Sequence, residues 1–118
     1  MAYLEIVKGK SNLPKLVNLF VHEEITHIVI EYFKFKPFIV NFYVIQTFFN
    51  TFTMEDIKHY LIELLIGLKN LKDLGIYHRD IKPGNFLYNP ETKKGMIIDF
   101  GLAELDPQFM NNLEQKMK

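Results

Sequence analysis

The chain reads as an α+β fold, and three stretches of sequence predict it. Residues 54–74 carry the pattern of a long amphipathic helix. Residues 16–22 and 25–32 are rich in Val, Ile and Phe around a polar Glu23-Glu24 pair, the pattern of two antiparallel strands and a tight turn. Two short apolar runs, 86–88 and 96–98, flank a charged turn and read as a second strand pair.

The helix is the clearest of these. Thr53 can cap its N-terminus, and Glu55 and Asp56 place negative charge in the first turn, where the helix dipole favours it. Ile57, Tyr60, Leu61, Leu64, Leu65, Leu68 and Leu71 recur at spacings of three and four and form one broad apolar stripe. Gly75 follows Leu74 as a C-terminal stop. Phe33–Pro37 reads as a connector, and Phe38–Asn50 is open between strand and helix, its β-branched and aromatic content favouring strand. The tail from Leu102 to Lys118 is weakly helical at best.

Composition narrows the function. The 118 residues suit one domain and suffice to bury a core. Formal net charge is zero, so there is no electrostatic footprint for direct nucleic-acid binding. The chain has no cysteine, which excludes disulfides, thiol catalysis and cysteine-ligated zinc. The N-terminus lacks the basic and apolar regions of a signal peptide. The longest apolar run, 38–49, is interrupted by Asn41 and Gln46 and falls short of a membrane span. The expectation is a soluble, intracellular chain that makes no membrane contact.

Chemistry concentrates between the helix and the last strand. There the sequence runs His78-Arg79-Asp80-Ile81-Lys82-Pro83-Gly84-Asn85, and Asp99-Phe100-Gly101 follows further on. Phosphoryl transfer needs a carboxylate for the proton of the incoming hydroxyl, cations over the γ-phosphate and oxygen ligands for magnesium, all rigidly positioned. Asp80 can orient and deprotonate the hydroxyl, and Lys82 can reach the transferring phosphate. Asn85 and Asp99 offer hard oxygen donors, and magnesium takes few protein ligands besides phosphate oxygens. Gly101 is the residue expected to permit the backbone turn that swings Asp99 toward the metal. Either tripeptide alone means little; together, with Lys82 and Asn85 at their spacings, chance is a poor explanation.

These residues match the motif set of protein kinases. Lys82 favours the serine/threonine branch. The run from His78 to Asn89, with Asp99-Phe100-Gly101-Leu102-Ala103-Glu104, is similar to the cell-division-cycle-7-type kinases that act in DNA replication and the cell cycle. Casein-kinase-1-type enzymes share the Asn85-Phe86-Leu87 run and are the second choice of subfamily.

The resemblance implies an incomplete protein-kinase-like fold. Residues 1–30 would be the C-terminal part of the small lobe, 31–36 the hinge and 37–118 the N-terminal part of the large lobe, with 38–50 helical. It implies ATP and Mg2+ as cofactors and a protein substrate. Asp80, Lys82 and Asn85 would be catalytic, and Asn85 and Asp99 metal ligands. Glu31 and Phe33 at the hinge and Leu87 beneath the adenine would bind nucleotide. Ile30 falls at the gatekeeper position, and Leu19, His78 and Phe100 on the internal spine. A regulatory subunit and nuclear residence follow from the subfamily alone; no nuclear-import cluster is visible.

The sequence also departs from the pattern. It contains no Gly-x-Gly-x-x-Gly, and the third-strand lysine and its glutamate partner would fall at or before Met1. It has no Ala-Pro-Glu segment, and residues 102–118 hold no Ser, Thr or Tyr. The stripe on the long helix is accordingly expected to expose leucines. The alternative readings are a catalytically inactive, kinase-derived binding module and a truncated gene product.

Overall fold

The computed structural model describes residues 2–7, 9–35 and 52–118. The stretch 38–50, open between strand and helix, lies outside them. The described residues confirm the α+β class. Helix α1 (Ala2–Ile6) leads to the hairpin β1 (Leu16–His22) and β2 (Ile25–Ile30). The long helix α2 (Met54–Asp73) follows, then β3 (Ile76–Tyr77), β4 (Phe86–Asn89), β5 (Lys94–Ile97), β6 (Glu104–Leu105) and α3 (Pro107–Met117). The strands make three two-stranded antiparallel sheets, β1–β2, β3–β6 and β4–β5.

Helix α2 begins as its sequence predicts. The Thr53 hydroxyl accepts from the Asp56 amide while the Asp56 carboxylate accepts from the Thr53 amide, a reciprocal capping box. At the other end Gly75 stands at φ +68, the left-handed residue that ends the helix. Much of the expected stripe faces the core, with Leu71 buried and Tyr60, Leu64 and Leu68 packed against it, and two residues from outside the stripe join them. Glu63, Gly67 and Leu71 face inward, whereas Leu61 and Leu65 are exposed, as are the neighbouring Ile62 and Ile66. The reason is close packing against β5: a Cβ at Gly67 would stand 2.7 Å from Ile97 Cδ1, so the glycine leaves room for that buried side chain.

The core joins α2 and the β4–β5 hairpin to the chain around Val7 and Leu13, with Leu71, Ile76, Phe86, Tyr88 and Ile97 buried. Tyr60 meets the rings of Phe86 and Tyr88 edge-on at 5.0 and 5.3 Å, an arrangement aromatic pairs prefer.

Three sequence expectations require correction. The last strand begins at Lys94, not residue 96, because Tyr88 pairs with Gly95 and Asn89 with Lys94. The turn therefore shrinks to 90–93, where Asn89 Oδ1 accepts from the Glu91 and Thr92 amides. That strand also ends at Ile97, although the Ile98 amide still follows the β4–β5 register onto the Asn85 carbonyl just before β4. The tail is not weakly ordered: Asp106 accepts from the Gln108 amide, Pro107 takes the first helical position, and α3 runs to Met117.

Candidate active site

A tight loop carries the residues expected to be catalytic. Between β3 and β4 the chain passes through His78-Arg79-Asp80, and a single 3-10 turn, Pro83–Asn85, delivers it to β4. Arg79 stands at φ +68, a region that side chains other than glycine rarely adopt, and such residues persist only where their surroundings fix them. Here the surroundings are explicit. The Arg79 guanidinium pairs with Glu104 on β6, and Tyr77 and Glu104 are partners across the β3–β6 ladder.

Asp80, Lys82 and Asn85 are brought together. Asn85 Nδ2 donates to the Asp80 carbonyl and to Asp80 Oδ2, each at 2.9 Å. Lys82 Nζ lies 3.1 Å from the same Oδ2. One carboxylate oxygen of Asp80 thus faces two internal donors, and Oδ1 has no internal bond among those described. Because both Asn85 amide protons are directed at Asp80, its Oδ1 is the atom left for an outside cation.

His78 ties this loop to the next. It is buried, its Nε2 lies 2.8 Å from the Ile98 carbonyl, and its Nδ1 accepts from the Asp80 amide at 3.2 Å. An Nδ1 that accepts leaves the proton on Nε2, so the ring is a neutral donor to Ile98 and serves as a strut. Its ring and that of Phe100 meet edge-on with centroids 5.2 Å apart, which joins two of the three expected spine residues. The third, Leu19, is exposed on β1.

Asp99 follows Ile98 directly, and here a further expectation fails. The left-handed residue of this turn is Asp99 itself, at φ +64, and Gly101 is not among those with positive φ. The turn closes because the Gly101 amide donates to Asp99 Oδ1 at 3.1 Å, a local bond that short acidic side chains can make. Beside Asp99 lies a cleft of about 400 Å³, lined by Tyr3, Leu4, Ile28, Ile30 and Phe100 among others.

The residues assigned to nucleotide come from β4 and from the segment after β2. Glu31 and Phe33 follow β2, with the Glu31 amide donating to the Lys15 carbonyl. Leu87 sits half-buried on β4 opposite Met96. An ion pair at 3.6 Å between Lys34 and Glu91 spans the segment after β2 and the β4–β5 turn.

The donor set suits magnesium. Asn85 and Asp99 present hard oxygens, and no group of three or more His, Cys, Asp or Glu is poised for a metal among the described residues. Magnesium takes few protein oxygens besides those of phosphate, and these two side chains are of the type that would hold it.

The family of the protein kinase domain matches residues 1–113. The chain belongs to this family. Among the kinases it resembles is a probable cell division control protein 7 homolog from Encephalitozoon cuniculi, 40% identical over 106 residues, which cover 90% of this chain and 28% of that protein. The cell cycle serine/threonine-protein kinase hsk1 of Schizosaccharomyces pombe is 34% identical over 86% of the chain and 18% of its own length. The human cell division cycle 7-related protein kinase is 31% identical over 86% of the chain and 16% of its own length. This kinase chain therefore spans less than a third of the length of the relatives it matches.

Sequence reasoning missed Glu63, Asn12 and Glu104. Glu104 lay in the quoted motif without a role; Glu63, a charged residue between apolar neighbours, carried the one readable signal. No helix among the described residues is long and apolar enough to cross a membrane.

Proposed function

We propose that the chain forms the catalytic-loop and magnesium-binding part of a serine/threonine protein kinase acting in the cell cycle, in the manner of the replication kinases it resembles. Residues 1–30 supply the end of the small lobe, 31–36 the hinge and 37–118 the first part of the large lobe. The observation that carries this reading is the Asp80 carboxylate, with Oδ2 held by Asn85 and Lys82 and Oδ1 left over.

In this mechanism Oδ1 of Asp80 orients a Ser or Thr hydroxyl and takes its proton. The hydroxyl oxygen bonds to the γ-phosphorus of ATP as the bond to the β,γ-bridging oxygen breaks, and ADP leaves. Lys82 accompanies the charge on the transferred group. Magnesium, held by Asn85 and Asp99, would neutralise phosphate charge. Glu31 and Phe33 offer backbone groups to the adenine edge, and Leu87 its apolar floor.

The test is transfer of labelled γ-phosphate to a serine-containing protein substrate by the full-length protein. Asp80→Asn is expected to lower the rate by about 10²- to 10⁴-fold, the usual worth of a general base, with folding intact. Equal rates for the two proteins would refute the assignment.

One observation favours a second reading, a docking module derived from a kinase. Leu61, Ile62, Leu65 and Ile66 lie exposed side by side on α2, an apolar patch of the kind that partners cover. Retention of every cellular effect by Asp80→Asn would select it.

A further inference from the structure

Among the described residues, strand β5 has β4 along one edge and no strand along the other, yet the open edge is closed. The Gly95 amide donates to Glu63 Oε2 at 3.1 Å, and the Ile97 amide donates to the Asn12 carbonyl at 3.0 Å. Asn12 in turn donates through Nδ2 to the Glu63 carbonyl at 2.7 Å and to Glu63 Oε2 at 2.9 Å. The Glu63 side chain is buried, with Lys94 Nζ 3.9 Å from its other oxygen. Asn12 stands at φ +63, which asparagine tolerates better than most residues, and Asn70 fixes its neighbour by donating to the Ser11 carbonyl.

The two groups occupy alternate amides of β5, as a third strand would. A loop that follows α1 is thereby pinned to the middle of α2 and to the strand that ends just before Ile98. Ile98 is then held on both sides, its amide on the Asn85 carbonyl and its carbonyl on His78. Asp99 comes next, so its placement depends on an uninterrupted line of bonds that starts at Asn12 and Glu63.

We infer that Asn12 and Glu63 are positioning residues for Asp99, setting the metal affinity of the site from the far edge of β5. The inference rests on the reading of Asp99 as a magnesium ligand. Partners one layer behind a ligand fix its orientation, and a carboxylate that shifts loses affinity even when the ligand itself is intact. A purely architectural role would lower the melting temperature and leave metal binding unchanged.

The experiment titrates Mg2+ into the full-length protein saturated with ADP and compares it with ADP binding in EDTA. Asn12→Ala and Glu63→Leu are each expected to raise the Mg2+ dissociation constant about 10-fold, with metal-free ADP affinity within about twofold of wild type. Glu63→Gln keeps an acceptor oxygen for Gly95 and is expected to restore most of the affinity. Faster hydrogen exchange at the Gly95 and Ile97 amides would accompany the loss. Should Glu63→Leu fail to fold, Asn12→Ala decides, read beside Asn12→Gly, which loses the same two Nδ2 bonds without the strain of alanine at φ +63. Unchanged Mg2+ affinity in Asn12→Ala, with Asp99→Asn impaired, overturns the inference alone. Unchanged Mg2+ affinity in Asp99→Asn overturns the metal-ligand reading and the inference with it.

Discussion

Strands β1 and β2 and strands β4 and β5 are both antiparallel hairpins rich in apolar residues, and their surroundings are opposite. In the first, Val17 is 62% exposed, Val21 68% and Ile25 62%; in the second, Phe86 is 1% exposed and Tyr88 and Ile97 are at 0%. The first closes through Glu23 and Glu24, both at positive φ, a turn that suits hairpin twist but costs non-glycine residues about 1 kcal/mol each. The second lies on α2 and has its free edge capped. A strand's composition therefore states that it wants burial, and only the packing partner decides whether burial occurs. The β4–β5 hairpin carries Leu87 and leads to Asp99, so the better-buried of the two is the one that serves the site.

The largest test of this contrast swaps equivalent rings. Phe86→Ala is expected to cost about 3–5 kcal/mol, and Phe20→Ala, whose half-exposed ring stacks on His27 at 5.0 Å, about 1 kcal/mol or less. Urea unfolding of the two variants measures the difference, and similar losses would mean that β1 is covered in solution.

A smaller effect is expected at the start of α2, the element that buries β5. Thr53→Ala removes the capping hydroxyl and should cost about 1 kcal/mol by thermal denaturation. Tyr88 should shift stability in the opposite direction. Its hydroxyl is buried with no hydrogen-bond partner among the described residues. Tyr88→Phe is therefore expected to gain up to about 1 kcal/mol.

The same residue sharpens the comparison by pH. Burial, followed by the charges of Asp56 and Glu63, holds the Tyr88 hydroxyl above the ordinary tyrosine range. The folded state then binds that proton more tightly than the unfolded chain. Its contribution is complete below about pH 10 and is lost as pH rises through the folded value. Tyr88→Phe should show a shallower alkaline fall in melting temperature than wild type. Tyr60 and Tyr77, also raised, keep their share of the fall.

What was legible in the sequence follows from whether the cause was local. The cap at Thr53, the stop at Gly75 and the run from His78 to Asn85 depend on near neighbours, and all were readable. On the inward face of α2 the apolar spacing found Tyr60, Leu64, Leu68 and Leu71 but not Glu63 and Gly67, which break the pattern; their burial is explained by Asn12 and Ile97, far along the chain. Strand β6 has two residues and no period to detect. Helix α3 did have a signal, Asp106 before Pro107, outweighed by its polar composition. The turn at Asp99 was assigned to Gly101 because glycine is the usual holder of positive φ, whereas a bond from Gly101 to the aspartate's own side chain stabilises the strained residue instead.

Gly75 has a consequence for how this protein can change over time. It must hold a left-handed backbone, and it must also leave room for Phe109 of α3, whose Cγ would lie 2.6 Å from any Cβ placed there. Asparagine meets the first demand and fails the second. Gly75→Asn should therefore be poorly tolerated alone and accepted once Phe109→Gly has removed both the ring and the Cβ that would stand 2.7 Å away, a dependence that a double-mutant cycle would read as strong coupling. A lineage changing one residue at a time can reach the pair in only one order, with position 109 shrinking before position 75 is free to vary.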